Sequence, residues 1–362
     1  MINVELIQAG DGDCIWIEYG KEENALHRIL IDGGKSGTYK HLKSRIEKLP
    51  TEARHFDLLV ITHIDADHIA GVLKLLEADD LGITFEDIWF NGYRHLSNVR
   101  ARGVKQAEKL SDYLDQSHVN WNQAFHGKAA CVDKRKKASA ITLPGGMKIT
   151  LFSPTKKALA DLKPKWIKEA KKAGLDPKED FFFREEEDTP VSRANAVMPT
   201  PTELPDIDLL AKEKLIADTS LTNGSSIAFV AEYADKKMFF TGDAHEKVLL
   251  NSIKRYYPDC SPLYLDLFKL PHHGSDGNIS QALLERIRCS KYLISTNGAY
   301  HKHPDQVALA KLIKYGGNKP DIYFNYLSKY TEVWNDPELQ KQYAYQGHYP
   351  REEESSLKLT FS

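Results

Sequence analysis

The sequence predicts a layered α/β fold. Three observations predict it: short segments rich in β-branched and aromatic residues, intervening segments with apolar residues at helical spacing, and polar clusters that each follow a strand-like segment. At 362 residues the chain accommodates one large domain with insertions, or a domain with a lid.

The elements follow in order. Residues 4–8 and 14–19 read as strands with Gly10-Asp11-Gly12 as the turn between them. Residues 28–31 form a short apolar strand ending in Asp32-Gly33-Gly34. Residues 38–49 have helical composition and stop at Pro50. Leu58-Leu59-Val60-Ile61 is a buried strand ending at Thr62-His63, after which Ile69, Val72, Leu73 and Leu76 recur at helical spacing. Residues 88–90 read as a strand that empties into Asn91-Gly92-Tyr93-Arg94-His95. A basic, mostly helical stretch covers 99–119, and a hairpin over 140–143 and 148–152 turns at Pro144-Gly145-Gly146. Residues 155–220 read as an insertion with one Lys-rich helix, an acidic turn and a Pro-bearing loop or lid over 190–205. Strands resume at 225–232 and 237–241. After them come a helix over 246–256, a strand over 263–269, a helix over 279–287 and a strand over 291–295. The expected organisation is therefore a first half over 1–154, with a basic helical loop at about 96–139. The insertion at 155–220 and a second half with a C-terminal extension over 221–362 complete it.

Composition narrows the class. With 41% apolar and 28% charged residues, the chain has a real core and an ordinary solvated surface. No apolar run approaches the roughly 20 residues that cross a bilayer, so no membrane partner is expected. The start lacks the basic head and apolar stretch of a secretory leader. Cys14, Cys131, Cys260 and Cys289 form no C-x-x-C pair, which suits reduced cytosol and a cytoplasmic location. The net charge of −2 excludes a generic nucleic-acid coater, yet charge is unevenly spread. From 100 to 175 there are 17 Lys/Arg against 6 Asp/Glu, including Lys134-Arg135-Lys136-Lys137 and Lys163, Lys165, Lys168, Lys171 and Lys172. Arg184-Glu185-Glu186-Glu187-Asp188 follows. That pattern fits either a solvated helix face beside a compensating acidic loop or a surface for a phosphate-rich partner.

The strongest chemical signal is Thr62-His63-Ile64-Asp65-Ala66-Asp67-His68, with four potential metal ligands in six residues between a strand and a helix. Imidazole and carboxylate together suit Zn²⁺ or Mn²⁺. Helix capping would explain Asp67 but neither histidine nor Asp65. Asp32, after a strand and before two glycines, is placed to orient a ligand histidine from behind. Asp243 in Thr241-Gly242-Asp243, and His272-His273-Gly274-Ser275, also end strands. Strand ends are where layered α/β folds assemble sites, because loops converge there while the sheet stays rigid.

His63-Ile64-Asp65-Ala66-Asp67-His68 resembles the H-x-H-x-D-H signature of the metallo-β-lactamase superfamily. Asp11-Gly12-Asp13-Cys14, Leu30-Ile31-Asp32-Gly33-Gly34, Asn223-Gly224-Ser225-Ser226, Thr241-Gly242-Asp243, His272-His273-Gly274-Ser275 and His303-Pro304 follow in the family's order. Together they resemble the hydrolase domain of the bacterial competence (DNA-uptake) channel protein and its soluble relatives. The resemblance covers about residues 1–95, 140–154 and 220–310. It implies an αββα sandwich with a helical insertion and two divalent ions, Zn or Mn, at one edge. By that resemblance His63 and Asp65 hold one ion, Asp67 and His68 the other, Asp243 bridges both and His273 completes the second site. Asp67, His272 and His303 are the implied catalytic residues, with His272 contacting substrate or moving a proton. His303 protonates a leaving oxygen or binds phosphate. Ser275, with backbone N–H groups before the helix at 279, and Asn223, Arg94 and His95 are candidate substrate contacts; His245 reads as a surface residue. Two departures stand out: Asp65 replaces the signature's second histidine, and Asn223 stands where many members carry another. The first site is therefore poorer in nitrogen.

The expected function is metal-dependent hydrolysis, foremost of nucleic-acid phosphodiesters by metal-acidified water. One alternative is a small-molecule hydrolase acting on a cyclic nucleotide, phosphocholine-type ester, thioester or lactone. The other is a metal-stabilised, non-enzymatic effector controlled by a regulatory protein partner.

Overall fold

The computed structural model describes residues 1–22, 25–78, 80–96, 105–117, 119–133, 140–172, 204–258 and 262–362. The basic run 134–137, the acidic turn 184–188, most of the Pro-bearing loop and Cys260 lie outside these residues. In chain order come β1 (Ile2–Ile7), β2 (Ile15–Tyr19), β3 (His27–Ile31), α1 (Tyr39–Glu47), β4 (His55–Val60), α2 (Ala66–Leu76), β5 (Thr84–Trp89) and α3 (Lys105–Gln116). Next are β6 (Ile141–Thr142), β7 (Lys148–Ser153), α4 (Lys156–Lys172), α5 (Ile207–Leu210), β8 (Ala228–Tyr233), β9 (Lys236–Phe240) and α6 (Glu246–Tyr256). Then follow β10 (Leu263–Leu265), β11 (Leu267–Lys269), α7 (Gln281–Glu285), β12 (Ile287–Cys289), β13 (Lys291–Ile294) and α8 (Gln306–Tyr315). The chain ends with β14 (Asp321–Phe324), α9 (Pro337–Tyr343), β15 (Gln346–His348) and β16 (Ser356–Phe361).

Two sheets form the middle layers, ordered β16-β1-β2-β3-β4-β5 and β15-β14-β13-β11-β9-β8-β7-β6. The fold is the expected αββα sandwich. Both faces of its central strands are buried, which is why they read as continuous apolar runs. On β4, Leu58 and Val60 join the core between the sheets, while Leu59 and the following Ile61 pack under the helices of the first outer layer. Phe239 and Phe268 stack at 5.4 Å under the other outer layer, with Leu249 and Leu309 from α6 and α8. The sheets are not the two halves of the chain: β6 and β7 pair into the second sheet, and β16 pairs antiparallel with β1 in the first.

Two elements differ from expectation. The strand expected over 263–269 is two strands in different sheets, because the Asp266 side chain accepts from Lys237 N (2.9 Å) and turns the chain between them. The helix expected over 279–287 is only α7, opened by Ser280 Oγ capping Leu283 N (3.0 Å), and Ile287 already begins β12. Among the described residues no helix is long and apolar enough to cross a membrane.

Candidate metal centre

Three strand ends and one helix start converge on a single cluster. β4 delivers His63, and the first turn of α2 delivers Asp67 and His68, with Asp65 just before it. From the second sheet, β9 delivers Asp243 and β11 leads into His272 and His273. The backbone is unusual where it must aim these groups: Asp32, His272 and His273 all have left-handed φ values of 56°, 48° and 54°. Such conformations cost about 1–3 kcal/mol each for residues with a Cβ and persist where the surroundings enforce them. The glycine loop before β2 lies directly on α2. A Cβ on Gly12 would stand 1.7 Å from the Asp67 carbonyl oxygen, so only glycine lets this loop close over the ligand-bearing turn.

Asp243 is the hub. Its Oδ2 lies 3.8 Å from His63 Nε2, 3.5 Å from His68 Nε2, 3.6 Å from His273 Nε2 and 3.8 Å from His272 Nε2. Asp67 Oδ2 is 3.5 Å from His273 Nε2 and 3.8 Å from His68 Nε2, and Asp65 Oδ2 is 3.5 Å from His63 Nε2. His63, His68 and Asp243, and likewise Asp67, His68 and His273, each present ligand atoms close enough to share one ion.

Hydrogen bonds settle where each imidazole carries its proton. His68 Nδ1–H donates to Asp32 Oδ2 (2.8 Å), and His273 Nδ1–H donates to the Ser295 carbonyl (2.8 Å). Thr62 gives its hydroxyl proton to Asp32 Oδ2 (2.7 Å), so its oxygen accepts from His63 Nδ1–H (3.0 Å). In the neutral rings all three Nε2 lone pairs therefore aim inward. His68 Nε2 and His273 Nε2 face one another at 3.3 Å with no hydrogen to share, and buried His63 Nε2 and Asp243 Oδ1 have no hydrogen-bond partner. Converging lone pairs and carboxylates need a cation, so this donor set fits a divalent metal. Ionisation shows the same local demand for positive charge. Burial opposes charge on His68, yet Asp243, Asp67 and Asp32 outweigh it and hold its pKa well above the usual imidazole range; His273 behaves likewise beside Asp243 and Asp13. Despite burial, His273 and His68 hold Asp243 well below the ordinary carboxylate range.

The two sides of the cluster are unequal. His68 and His273 point inward with their Nδ1 sides anchored, and Asp67 Oδ2 faces both rings. On the other side, Asp65 caps nothing, although it stands at the helix N-cap; its Oδ2 instead accepts from Thr222 Oγ1 (2.9 Å). Asn223 donates from Nδ2 to Asp218 Oδ2 (2.8 Å), beside the His272 ring.

Several site residues escaped the sequence reading. Asp13, read only as part of a motif, is completely buried with Oδ1 3.4 Å from His273 Nδ1 and Oδ2 2.8 Å from Lys269 Nζ. A lysine inside the apolar run Leu267-Phe268-Lys269-Leu270 was the available signal for that buried pair. Asp218 lies in the segment read as an insertion, yet it accepts from Asn223 and Asn278 and sits 3.5 Å from His272 Nδ1. His272 Nδ1–H donates to Asn278 Oδ1 (2.9 Å).

Other expectations change. His245 is no surface residue: half-buried, its Nε2–H donates to the Ser220 carbonyl (2.8 Å) and ties the 218–223 loop to α6. Ser275 Oγ caps Gly277 N (3.4 Å), and the helix expected from 279 starts at Gln281 with only five residues. His303 lies at the rim, its ring 5.3 Å from that of His272 and Nδ1 3.2 Å from Asp305 Oδ1. Arg94 and His95 stand apart from the cluster. Arg94 stacks 3.5 Å from the Trp121 ring centroid and pairs with Asp115, while His95 packs edge-on against Trp121 at 4.8 Å. Burial, reinforced by Arg94, pushes the His95 imidazole down to about 3.

A sequence model of the metallo-beta-lactamase superfamily matches residues 8–98, which include Asp32 and the His63–His68 run but neither Asp243 nor His273. Zn(2+)-bound PqqB from Methylobacterium extorquens is a structural neighbour at 12% identity and TM-score 0.45, with 100% of both chains covered. A diphosphatase from the PhnP family is similar at 11% identity and TM-score 0.40, over 100% of this chain and 98% of that one. CmlA, a diiron β-hydroxylase from Streptomyces venezuelae, is similar at 9% identity and TM-score 0.41, over 99% of this chain and 54% of that one. No curated protein matches the chain significantly.

Proposed function

We propose that this protein is a metal-dependent hydrolase of phosphodiesters, with nucleic acid as its substrate class. The observation that carries the reading is the hub at Asp243, whose Oδ2 lies within 3.5–3.8 Å of four imidazole Nε2 atoms. Asp67, His68, His273 and Asp243 would hold one divalent ion, Zn or Mn. His63, Asp65 and Asp243 would hold a second and weaker one. When bound, such ions supply Lewis acidity, which acidifies water toward neutral pH and offsets charge on a phosphoryl oxygen.

The chain's own residues supply orientation and proton handling. Asp32 fixes His68 directly and His63 through Thr62, so both rings keep their tautomers whatever occupies the centre. His272 projects at the rim with Nδ1–H tied to Asn278 and Nε2 toward Asp243. Burial opposes its protonation, but Asp243 and Asp218 raise its pKa above the ordinary value. It can therefore keep a proton at Nε2 and pass it to a departing oxygen. His303, in ring contact with His272, borders the same opening. Support for a polyanionic substrate is the excess of 17 basic over 6 acidic residues from 100 to 175. Part of that segment, α4, packs against the Asn223–Ser225 turn beside the centre.

The test is hydrolysis of plasmid and single-stranded DNA and RNA by the purified chain with Mn²⁺ or Zn²⁺, with metal content measured in parallel. Asp243→Asn is expected to lower bound metal and to cut turnover by at least about 100-fold, the scale of losing one charge-stabilising group. Wild-type hydrolysis by that variant would overturn the assignment.

A further inference from the structure

Beside the turn Tyr93–His95 lies an open cavity of about 520 Å³. It lies away from the imidazole–carboxylate cluster but at the same edge of the sandwich. It opens after β5, the sheet neighbour of β4, and α4 packs both on this turn and on the Asn223–Ser225 turn. Its volume falls within the roughly 300–1,000 Å³ typical of small-ligand sites and exceeds what a bare phosphate fills.

The lining is chemically one-sided. Arg94, Lys128 and Lys156 contribute positive charge, and among the described residues no carboxylate lines it. Asp115 pairs with Arg94, and Asp133 stands 3.8 Å from Lys156, but neither belongs to the lining. Leu96 and Leu159, both buried, supply an apolar wall. His95 borders the cavity, its Nε2 accepting from Arg94 Nε (3.3 Å) and so helping to hold the guanidinium in place.

We propose that this cavity binds a nucleoside phosphate, its phosphate on Arg94, Lys128 and Lys156, its nucleoside against Leu96 and Leu159. As a subsite for the substrate's own nucleotide it rests on the phosphodiesterase reading above; as a ligand site it stands alone. A strand terminus and a free mononucleotide share this chemistry.

The test is calorimetric titration of the full chain in Mn²⁺ buffer with AMP, adenosine and inorganic phosphate. AMP is expected to bind at least tenfold more tightly than adenosine or phosphate. Lys128→Gln with Lys156→Gln, both exposed positions, should weaken AMP about tenfold. The charge-matched control Lys74→Gln with Lys341→Gln, also exposed, should leave AMP within twofold. No AMP binding, or equal affinity in the two double variants, would overturn the site. Comparing 5′-phosphorylated with 5′-hydroxyl oligonucleotides locates the source. A preference for the phosphorylated strand that the Lys128/Lys156 variant loses assigns the site to strand ends. AMP binding without that preference supports the site for free nucleotide and overturns its role as a substrate subsite. Intact AMP binding without hydrolysis of any nucleic acid would sink the proposed activity and leave this site standing.

Discussion

One edge of the sandwich holds histidines in two opposite electrostatic settings. At the metal centre, His68 and His273 sit among Asp243, Asp67, Asp32 and Asp13, which hold their pKa values high. In the Tyr93–His95 turn after β5, burial and the neighbouring Arg94 push the His95 imidazole down to about 3. Burial disfavours the charged ring in both places, so the neighbours decide the outcome. The carboxylate-rich region asks for a cation, and the cation-lined region asks for an anion.

The largest expected effect comes from removing the anchor of the first region. Asp32→Ala strands the donors of Thr62 N, Thr62 Oγ1 and His68 Nδ1, all buried. We expect a loss of about 3–5 kcal/mol in stability, because three buried donors lose their acceptor at roughly 1–3 kcal/mol each before relaxation. Metal affinity should fall by about 10–100-fold. Chemical denaturation and metal titration check this, and metal affinity within twofold of wild type would break the idea that Asp32 aims these rings.

The second effect tests the other region through pH. Because the folded pKa of His95 lies below the ordinary value, the unfolded chain takes up this proton first as pH falls. Its contribution is complete above about pH 6.5 and is lost progressively toward pH 3, reaching about 2 kcal/mol at pH 5. His95→Phe should remove that part of the slope between pH 7 and 5. An unchanged slope in urea melts across this range would show that the ring is not held neutral.

The smallest effect sharpens the inequality within the centre itself. Asp65→His restores a nitrogen ligand on the lean side, now occupied by a carboxylate drawn to Thr222. Affinity for the second ion should rise about tenfold, or 1.4 kcal/mol, read as metal stoichiometry by elemental analysis. Unaltered stoichiometry at every metal concentration would show that this side binds no ion.

Much of the cluster was legible because several of its members are local. His63, Asp65, Asp67 and His68 fall in one turn between an apolar strand and an amphipathic helix, so spacing alone brings them together. Asp243 and His272-His273 were legible as polar residues that end apolar strands. Asp218 was not: it lies in a segment of unremarkable composition, and only the return of that segment to His272 gives it a role. His245 misled for the same reason, since nothing local records that the 218–223 loop folds back onto it. The single strand expected over 263–269 failed because Asp266 bonds a backbone N–H about thirty residues earlier, a contact that composition does not encode.

What the chain determined by itself was the layered class, its strands and helices, and the residue types of a divalent-ion site, since these depend on periodicity and short-range spacing. Only the folded structure decided that the last strand closes the first sheet, that Asp13 and Lys269 bury a charge pair behind His273, and that Arg94 and His95 line a cavity of their own. The physical reason is range. Hydrogen bonding within an element acts over a few residues, whereas these groups meet across hundreds, and their ionisation depends on neighbours that only packing supplies.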